Sequence, residues 1–263
     1  MKRIFVLFSI FFLTLGIVVL TDTIISDQAS SIVLPEIDQA VIDQVRARNV
    51  SIETSMKDAG SRGSGILINS HLVLTARHNV DIVLEDEWKK GDNFLFVIKD
   101  LMMLRVKSVA FYEPTELPDS LHFMKELDLA LLQVEQPGFP LADQYENGLP
   151  IMDWVEPGTY LFLYSYRVPK ILNGVQFKMV FDIEMNEMFG AICYLVDPVI
   201  HPGESGIGVY TLQGDLAGIA VGRHIGYYSW IYSWIYDTSY GFIIPSHYLI
   251  YFTKQENLKV VIL

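Results

Sequence analysis

The chain has 263 residues, of which 51% are hydrophobic, so it can bury a sizeable core, and its composition excludes global disorder. Its formal net charge of -12 argues against nucleic acid as a partner, because phosphate binding depends on clustered Lys and Arg. The single cysteine, Cys193, excludes an internal disulfide framework. The folded domain must therefore be stabilised by its core alone.

The first segment, residues 1–20, has the pattern of an export signal. Lys2 and Arg3 precede an uncharged run from Ile4 to Leu20, which fits a signal peptide or a signal anchor. This run is longer than a typical cleavable core and no clear A-x-A site follows it, so the sequence favours a retained anchor. We expect an exported domain, attached to the membrane on the extracytoplasmic side, or secreted if the segment is cleaved.

The next segment, residues 21–55, is polar and predicts a stalk or an N-terminal helical arm. Apolar residues recur there at helical spacing after Pro35, namely Ile37, Val41, Ile42 and Val45. We expect the folded domain to begin after this arm, at about residue 56.

From Gly63 onward, short apolar or alternating runs are separated by Gly, Asn, Asp and Pro, which predicts an all-β domain over residues 56–263. A first group of strands occupies about 60–137 and a second group about 150–245. Residues 246–254 predict a short closing helix. The expected fold is two antiparallel β-barrels of about six strands each.

Three segments carry residues that could do chemistry together. His78 follows one short apolar run and Asp128 precedes another. Ser205 lies between glycines in the sequence Pro202-Gly203-Glu204-Ser205-Gly206. Acyl transfer needs these three side-chain types, because a serine hydroxyl is a weak nucleophile until a histidine accepts its proton and a carboxylate fixes the imidazole.

The glycine at position 203 lets the backbone approach a substrate closely. The N–H groups of Gly203 and Ser205 can then point at a developing oxyanion. This chemistry requires no cofactor and no metal, and the remaining histidines lack the spacing of metal ligands.

The chain order of these residues resembles the trypsin/chymotrypsin-like serine peptidases. The resemblance rests on three motifs, Thr75-Ala76-Arg77-His78, Asp128-Leu129-Ala130-Leu131-Leu132 and Gly203-Glu204-Ser205-Gly206. It is closest in character to the bacterial high-temperature-requirement branch, without that branch's C-terminal peptide-binding domain. It implies two six-stranded barrels and a serine endopeptidase that acts on proteins or peptides.

The same resemblance implies a substrate pocket formed by Val199, Ala220, Val221, Gly222 and Gly241. An apolar pocket cannot compensate a buried Lys or Arg side chain, so we expect cleavage after aliphatic or aromatic residues.

Two departures from the family pattern keep a second function open. Ile207-Gly208 stands where the family usually has a small residue and a proline, and Glu204 stands where many relatives have an aspartate that pairs with a newly cut N-terminus. No I-V-G-G activation sequence is present, so we expect no zymogen cleavage of that kind. The alternative is a catalytically inactive, membrane-anchored protein that binds peptides or acts as a scaffold.

A short duplication, Ser229-Trp230-Ile231-Tyr232 followed by Ser233-Trp234-Ile235-Tyr236, predicts an extended hairpin with its aromatic side chains on one face. Packing in the second barrel, contact with substrate and contact with a membrane surface are all compatible with this pattern.

Overall fold

A computed structural model describes residues 34–55, 60–85, 88, 93–112, 127–135, 138–141, 149–165, 174–224, 239–249 and 258–263. The described chain is mostly β, with helix α1 (Gln39–Arg48) and short 3-10 turns. The strands are β1 (Asn49–Ser55), β2 (Gly60–Leu67), β3 (Leu72–Thr75), β4 (Phe94–Lys99), β5 (Met102–Tyr112), β6 (Ala130–Val134), β7 (Tyr160–Tyr164), β8 (Val175–Asn186), β9 (Ala191–Asp197), β10 (Gly208–Thr211), β11 (Leu216–His224), β12 (Tyr240–Pro245) and β13 (Leu258–Ile262).

The first barrel contains β1 to β6. Its strands follow the order β5-β4-β1-β2-β3-β6, and pairing of β5 with β6 closes the ring. Every pair is antiparallel, and alternating residues such as Val50 and Ile52 on β1 point into the core with Val97 and Leu132. Strand β13 pairs with β5 outside this ring.

The second barrel contains β7 to β12 and closes in the order β10-β11-β12-β9-β8-β7. Its strands are also antiparallel, and its interior packs apolar side chains such as Leu161, Val196, Val209 and Ile243. Closure removes the unpaired edges that an open sheet would expose. The prediction of two antiparallel barrels is therefore confirmed.

Two strands and one helix differ from the sequence-based expectations. Strand β1 belongs to the first barrel, so this barrel begins at Asn49 and includes residues 49–55, which the sequence pattern places in the arm. Strand β13 was not expected at all. Of the predicted closing helix, Ser246–Tyr248 form a 3-10 turn, and residues 250–254 lie outside the described residues.

Helix α1 connects the two barrels through its C-terminal end. Val45 is buried in a cluster that includes residues of the second barrel. Arg48 is also buried, and its Nη1 donates to the carbonyl oxygens of Leu67 at 3.0 Å and Ile68 at 3.2 Å. The following residue, Asn49, donates from Nδ2 to the carbonyl oxygen of Tyr164 on β7 at 2.5 Å.

Two predictions fall on residues that the structure does not describe. These are the signal peptide or anchor at residues 1–20 and the aromatic repeat at residues 229–236, and both stay predictions. Among the helices in the described ranges, none combines the length and the hydrophobicity that a membrane crossing requires.

Candidate active site

The three chemistry-bearing side chains lie on loops from both barrels. His78 lies in a 3-10 turn that follows β3, and a single residue, Leu129, separates Asp128 from β6. Because β3 and β6 are paired, with Thr75 opposite Ala130, the two loops leave the sheet side by side. Ser205 lies between β9 and β10 of the second barrel. The structure thus brings all three predicted residues together between the two barrels.

Asp128 holds His78 through both of its carboxylate oxygens. Its Oδ2 is 2.7 Å from the imidazole Nδ1, and its Oδ1 accepts from the backbone N–H of His78 at 2.9 Å. A carboxylate can only accept, so Nδ1 carries a proton and Nε2 is left as the acceptor in the neutral ring. Asp128 is only 8% exposed, so its carboxylate lies largely out of water, whereas the His78 side chain is 43% exposed.

The Ser205 hydroxyl lies 2.6 Å from His78 Nε2. Its oxygen is also 3.1 Å from the carbonyl oxygen of Val221 on β11. A hydroxyl has one hydrogen to donate, so donation to Nε2 and donation to Val221 are alternatives. The first alternative is the one that allows His78 to remove the serine proton during attack.

The surroundings of His78 shift its pKa in two directions. Burial lowers the pKa of the imidazole, whereas the hydrogen bond that its Nδ1–H donates to Asp128, the charge of Asp128 and the charge of Asp81 raise it. The net pKa lies above the ordinary value of 6.5. The site therefore stabilises the imidazolium that forms when His78 accepts a proton.

The segment before Ser205 forms a tight turn. The N–H of Glu204 donates to the carbonyl oxygen of His201 at 3.0 Å, and Gly203 has a φ of 86°. A positive φ at the third residue is the mark of a type II turn and favours glycine. Within the described part of the chain, the N–H groups of Gly203 and Ser205 have no acceptor in hydrogen-bonding range, so both are free to donate to a ligand.

The first barrel holds this turn from one side through β2. Ser64 donates from Oγ to the carbonyl oxygen of Gly203 at 2.7 Å, and its N–H donates to the carbonyl oxygen of Ser205 at 2.8 Å. Asn79 also donates to the Ser205 carbonyl oxygen, from Nδ2 at 2.8 Å. Neither Ser64 nor Asn79 is among the site residues predicted from the sequence, although Asn79 directly follows the motif Thr75-Ala76-Arg77-His78.

Gly206 allows the two barrels to approach at this point. Its φ is 90°, and a Cβ there would collide with the carbonyl oxygen of Ser64 and with the Thr75 hydroxyl. Ile207-Gly208, which departs from the family pattern, follows directly after Gly206. Ile207 is buried in the second barrel, and its N–H donates to the carbonyl oxygen of Glu204 at 2.9 Å.

The predicted pocket residues occupy different environments. Ala220 and Val221 have buried side chains in the hydrophobic clusters, and they present backbone carbonyl oxygens to the Ser205 loop. Val199 and Gly222 are half-buried, and Gly241 is buried. Ile200 is not among the pocket residues predicted from the sequence, yet its side chain covers Gly241, since a Cβ on that glycine would lie 2.5 Å from Ile200 Cγ1.

The described residues contain no group of three or more His, Cys, Asp or Glu side chains that could hold a metal ion.

Comparison with known proteins gives structural matches only. No protein-family model and no curated protein sequence matches the chain. The chain is similar to the crystal structure of Deg5, with a TM-score of 0.53 and 16% identity over 80% of this chain and 89% of that one.

The chain is also similar to the active form of the Rv3671c protease from M. tuberculosis, with a TM-score of 0.50 and 17% identity over 81% of this chain and 84% of that one. Its inactive form matches with a TM-score of 0.50 and 16% identity over 85% of this chain and 98% of that one. At this level of identity the likeness establishes the fold, so the chain has the two-barrel fold of the trypsin-like serine proteases of the Deg and high-temperature-requirement type.

Proposed function

We propose that this protein is a serine-type endopeptidase in which Ser205 is the nucleophile, His78 the general base and acid, and Asp128 the residue that orients the imidazole. One observation carries the proposal. The three side chains form a continuous chain of hydrogen bonds, 2.7 Å from Asp128 to His78 and 2.6 Å from His78 to Ser205, on a protease fold.

The reaction proceeds through an acyl-enzyme. Ser205 Oγ attacks the carbonyl carbon of the scissile peptide bond while its proton passes to His78 Nε2. The N–H groups of Gly203 and Ser205 donate to the oxyanion of the tetrahedral intermediate. His78 then gives its proton to the departing amine. Water enters, loses a proton to His78 and attacks the ester, which releases the carboxylic acid and restores the Ser205 hydroxyl.

Strand β11 offers a place for an extended substrate next to the nucleophile. Its pairing with β10 ends at Ile219, whereas its pairing with β12 continues to His224. Within the described residues, the end of β11 from Val221 onward thus keeps one unpaired edge, beside Ser205. A peptide can bind such an edge by adding an antiparallel strand.

The surroundings of Ile200 favour an apolar side chain before the cleaved bond. Ile200 covers Gly241 and is 2% exposed, and Val196 also packs near Gly241. A charged Lys or Arg side chain would lose its hydration against these apolar side chains. We therefore infer cleavage after aliphatic or aromatic residues.

Hydrolysis of a mixed peptide library by the 263-residue chain tests both parts of this proposal. We expect new ends after aliphatic or aromatic residues, few after Lys or Arg, and a rate at least about 10³-fold lower in Ser205→Ala. The cleavage sites are read by mass spectrometry. If the parent binds peptides without cleaving them, and Ser205→Ala binds them equally well, the protein is instead an inactive peptide-binding protein.

A further inference from the structure

Three buried polar side chains lie behind the turn that carries Gly203. Lys178 and Glu204 are both 0% exposed, and Gln176 is 7% exposed. We refer to these three residues as the Lys178 network. Fully buried lysine and glutamate are rare in proteins unless they have partners. The proposed reaction uses none of the three directly, so their burial needs a different explanation.

The network connects a cation to a carboxylate through an amide. Lys178 donates from Nζ to Gln176 Oε1 at 3.2 Å, and Gln176 donates from Nε2 to Glu204 Oε1 at 2.5 Å. Lys178 and Gln176 lie two residues apart on β8, so their side chains share one face of that strand. The Gln176 amide therefore lies between the Lys178 ammonium and the Glu204 carboxylate. Either charge would be costly to bury alone.

Both ends of the Lys178 network contact the segment that contains the Gly203 turn. Glu204 Oε2 accepts from the backbone N–H of His201 at 2.8 Å, and Lys178 Nζ donates to the carbonyl oxygen of Val199 at 2.8 Å. Residues 199–204 contain the turn that presents the free N–H of Gly203. Its conformation is thus tied to strand β8 from the second barrel, independently of the Ser64 contacts from the first.

We infer that Lys178 is a positioning residue: acting through Gln176 and Glu204, its protonated side chain holds residues 199–204 in the conformation that turns the Gly203 N–H toward a substrate oxyanion. The inference rests on the proposed peptidase function. An internal cation makes a newly formed N-terminal ammonium unnecessary for neutralising Glu204.

The charge of Lys178 depends on pH in the range in which the protein can be assayed. Burial lowers the pKa of Lys178 to about 8, although the charges of Glu204 and Asp197 raise it in part. These two carboxylates are the charged groups that act on Lys178 among the described residues. The ammonium is present below about pH 8 and is lost as the pH rises through that value. Activity should therefore fall on the alkaline side, because Glu204 then lacks its compensating charge.

The titration of Lys178 does not by itself destabilise the folded domain. Between the folded pKa of about 8 and the ordinary value of 10.5, the unfolded chain binds more protons at this lysine than the folded chain does. Linkage then makes the contribution of Lys178 to the free energy of unfolding rise with pH over this interval. An alkaline loss of activity caused by Lys178 is thus distinguishable from alkaline denaturation.

The test compares the parent chain with Lys178→Arg from pH 6 to pH 10. An arginine stays charged throughout this range. Two quantities are measured in the full 263-residue chain, kcat/KM and the NMR shifts of the Gly203 and Ser205 backbone amides. In the parent we expect kcat/KM and the amide shifts to change together near pH 8. In Lys178→Arg we expect activity to persist and both alkaline transitions to disappear.

Removal of the charges gives a second test that does not depend on how arginine packs. Lys178→Met and Glu204→Gln should each lower kcat/KM about 100-fold, a loss comparable to that of one oxyanion donor. The double variant leaves no uncompensated buried charge, so it should fold and lose no more than either single variant. Additive losses in the double variant would overturn the inference.

Two further variants control for indirect effects. Ser64→Ala removes the other contact to the turn and should lower kcat/KM without moving the alkaline transition. Lys99→Met alters a lysine on β4 that pairs with Asp100, and it should change neither measurement.

An active parent whose alkaline transition is unchanged in Lys178→Arg contradicts the inference. A parent without Ser205-dependent hydrolysis contradicts the proposed function instead. In that case the NMR shift of the Gly203 backbone amide still tests the role of Lys178. We expect this shift to change as the lysine titrates in the parent, and to show no such change in Lys178→Arg.

Discussion

Asp128 illustrates how much a single residue contributes to the geometry of the site. One oxygen accepts from the His78 backbone and fixes the carboxylate relative to the main chain, while the other accepts from Nδ1 and fixes the ring. An asparagine could keep only part of this arrangement. Its NH₂ group would face Nδ1 and favour the tautomer in which Nε2 carries the proton, so His78 could no longer accept one from Ser205.

Asp128→Asn should therefore lower kcat by about 10³ to 10⁴-fold with little change in fold. The pH profile should also change. His78 must be neutral to act as a base, so the parent loses activity as the pH falls through a pKa that lies above 6.5. Removal of the Asp128 charge lowers that pKa, and the acid transition should move to lower pH. Steady-state kinetics from pH 5 to 8 measure both effects.

Asp81→Asn is the matched control for this variant. Asp81 acts on the His78 pKa through its charge alone, without a hydrogen bond to the ring. Asp81→Asn should move the acid transition to slightly lower pH. It should leave the plateau value of kcat within about tenfold of the parent's value, since the imidazole keeps its tautomer. Equal losses in the two variants would contradict the role that we assign to Asp128.

At the scale of elements, α1 is part of the folded domain and not a separate arm. Asp38 accepts from the N–H of Ala40 at 2.8 Å and caps the start of the helix. Val45 on its inner face is 1% exposed and packs in the same cluster as Phe162 and Leu216 of the second barrel. The docking of α1 therefore contributes to the stability of the barrel that carries Ser205.

Val45→Ala should lower the free energy of unfolding by about 2 kcal/mol, because it removes two buried methyl groups and leaves a cavity. For a domain of this size that corresponds to a fall in Tm of roughly 4 to 8 °C. Gln39→Ala, on the exposed face of the same helix, should change stability by less than about 0.5 kcal/mol. Calorimetry that gave the same small change for both variants would contradict the docking of α1.

At the scale of the whole molecule, the site exists only where the two barrels meet. The first barrel supplies His78 and Asp128, the second supplies Ser205, and Ser64 and Asn79 cross from one to the other to hold the nucleophile turn. Loss of either barrel would therefore remove the site, which ties the proposed activity to the complete fold.

The sequence predicted the all-β class and the two barrels, because alternating apolar runs and turn residues mark strands locally. It did not predict β13, because this strand pairs with β5 from a distant part of the chain and is mostly exposed. Strand β1 was missed for a related reason: Ser51, Glu53 and Ser55 alternate with its inward residues, and the whole stretch appears polar.

The Lys178 network was also beyond the sequence. A lysine two residues after a glutamine in a strand usually indicates a solvent-exposed face. Its burial becomes evident only when Gln176 and Glu204 are seen to contact each other across 28 positions in the chain. By contrast, the segments around His78, Asp128 and Ser205 could be chosen from sequence, because their motifs are local.

Labelling of the 263-residue chain with a fluorophosphonate probe, followed by intact mass measurement, tests the central claim most directly. The account predicts that the parent gains the mass of one probe and that folded Ser205→Ala gains none, since the reaction needs a serine activated by its histidine. A folded parent that stays unlabelled, or equal labelling of Ser205→Ala, would contradict it.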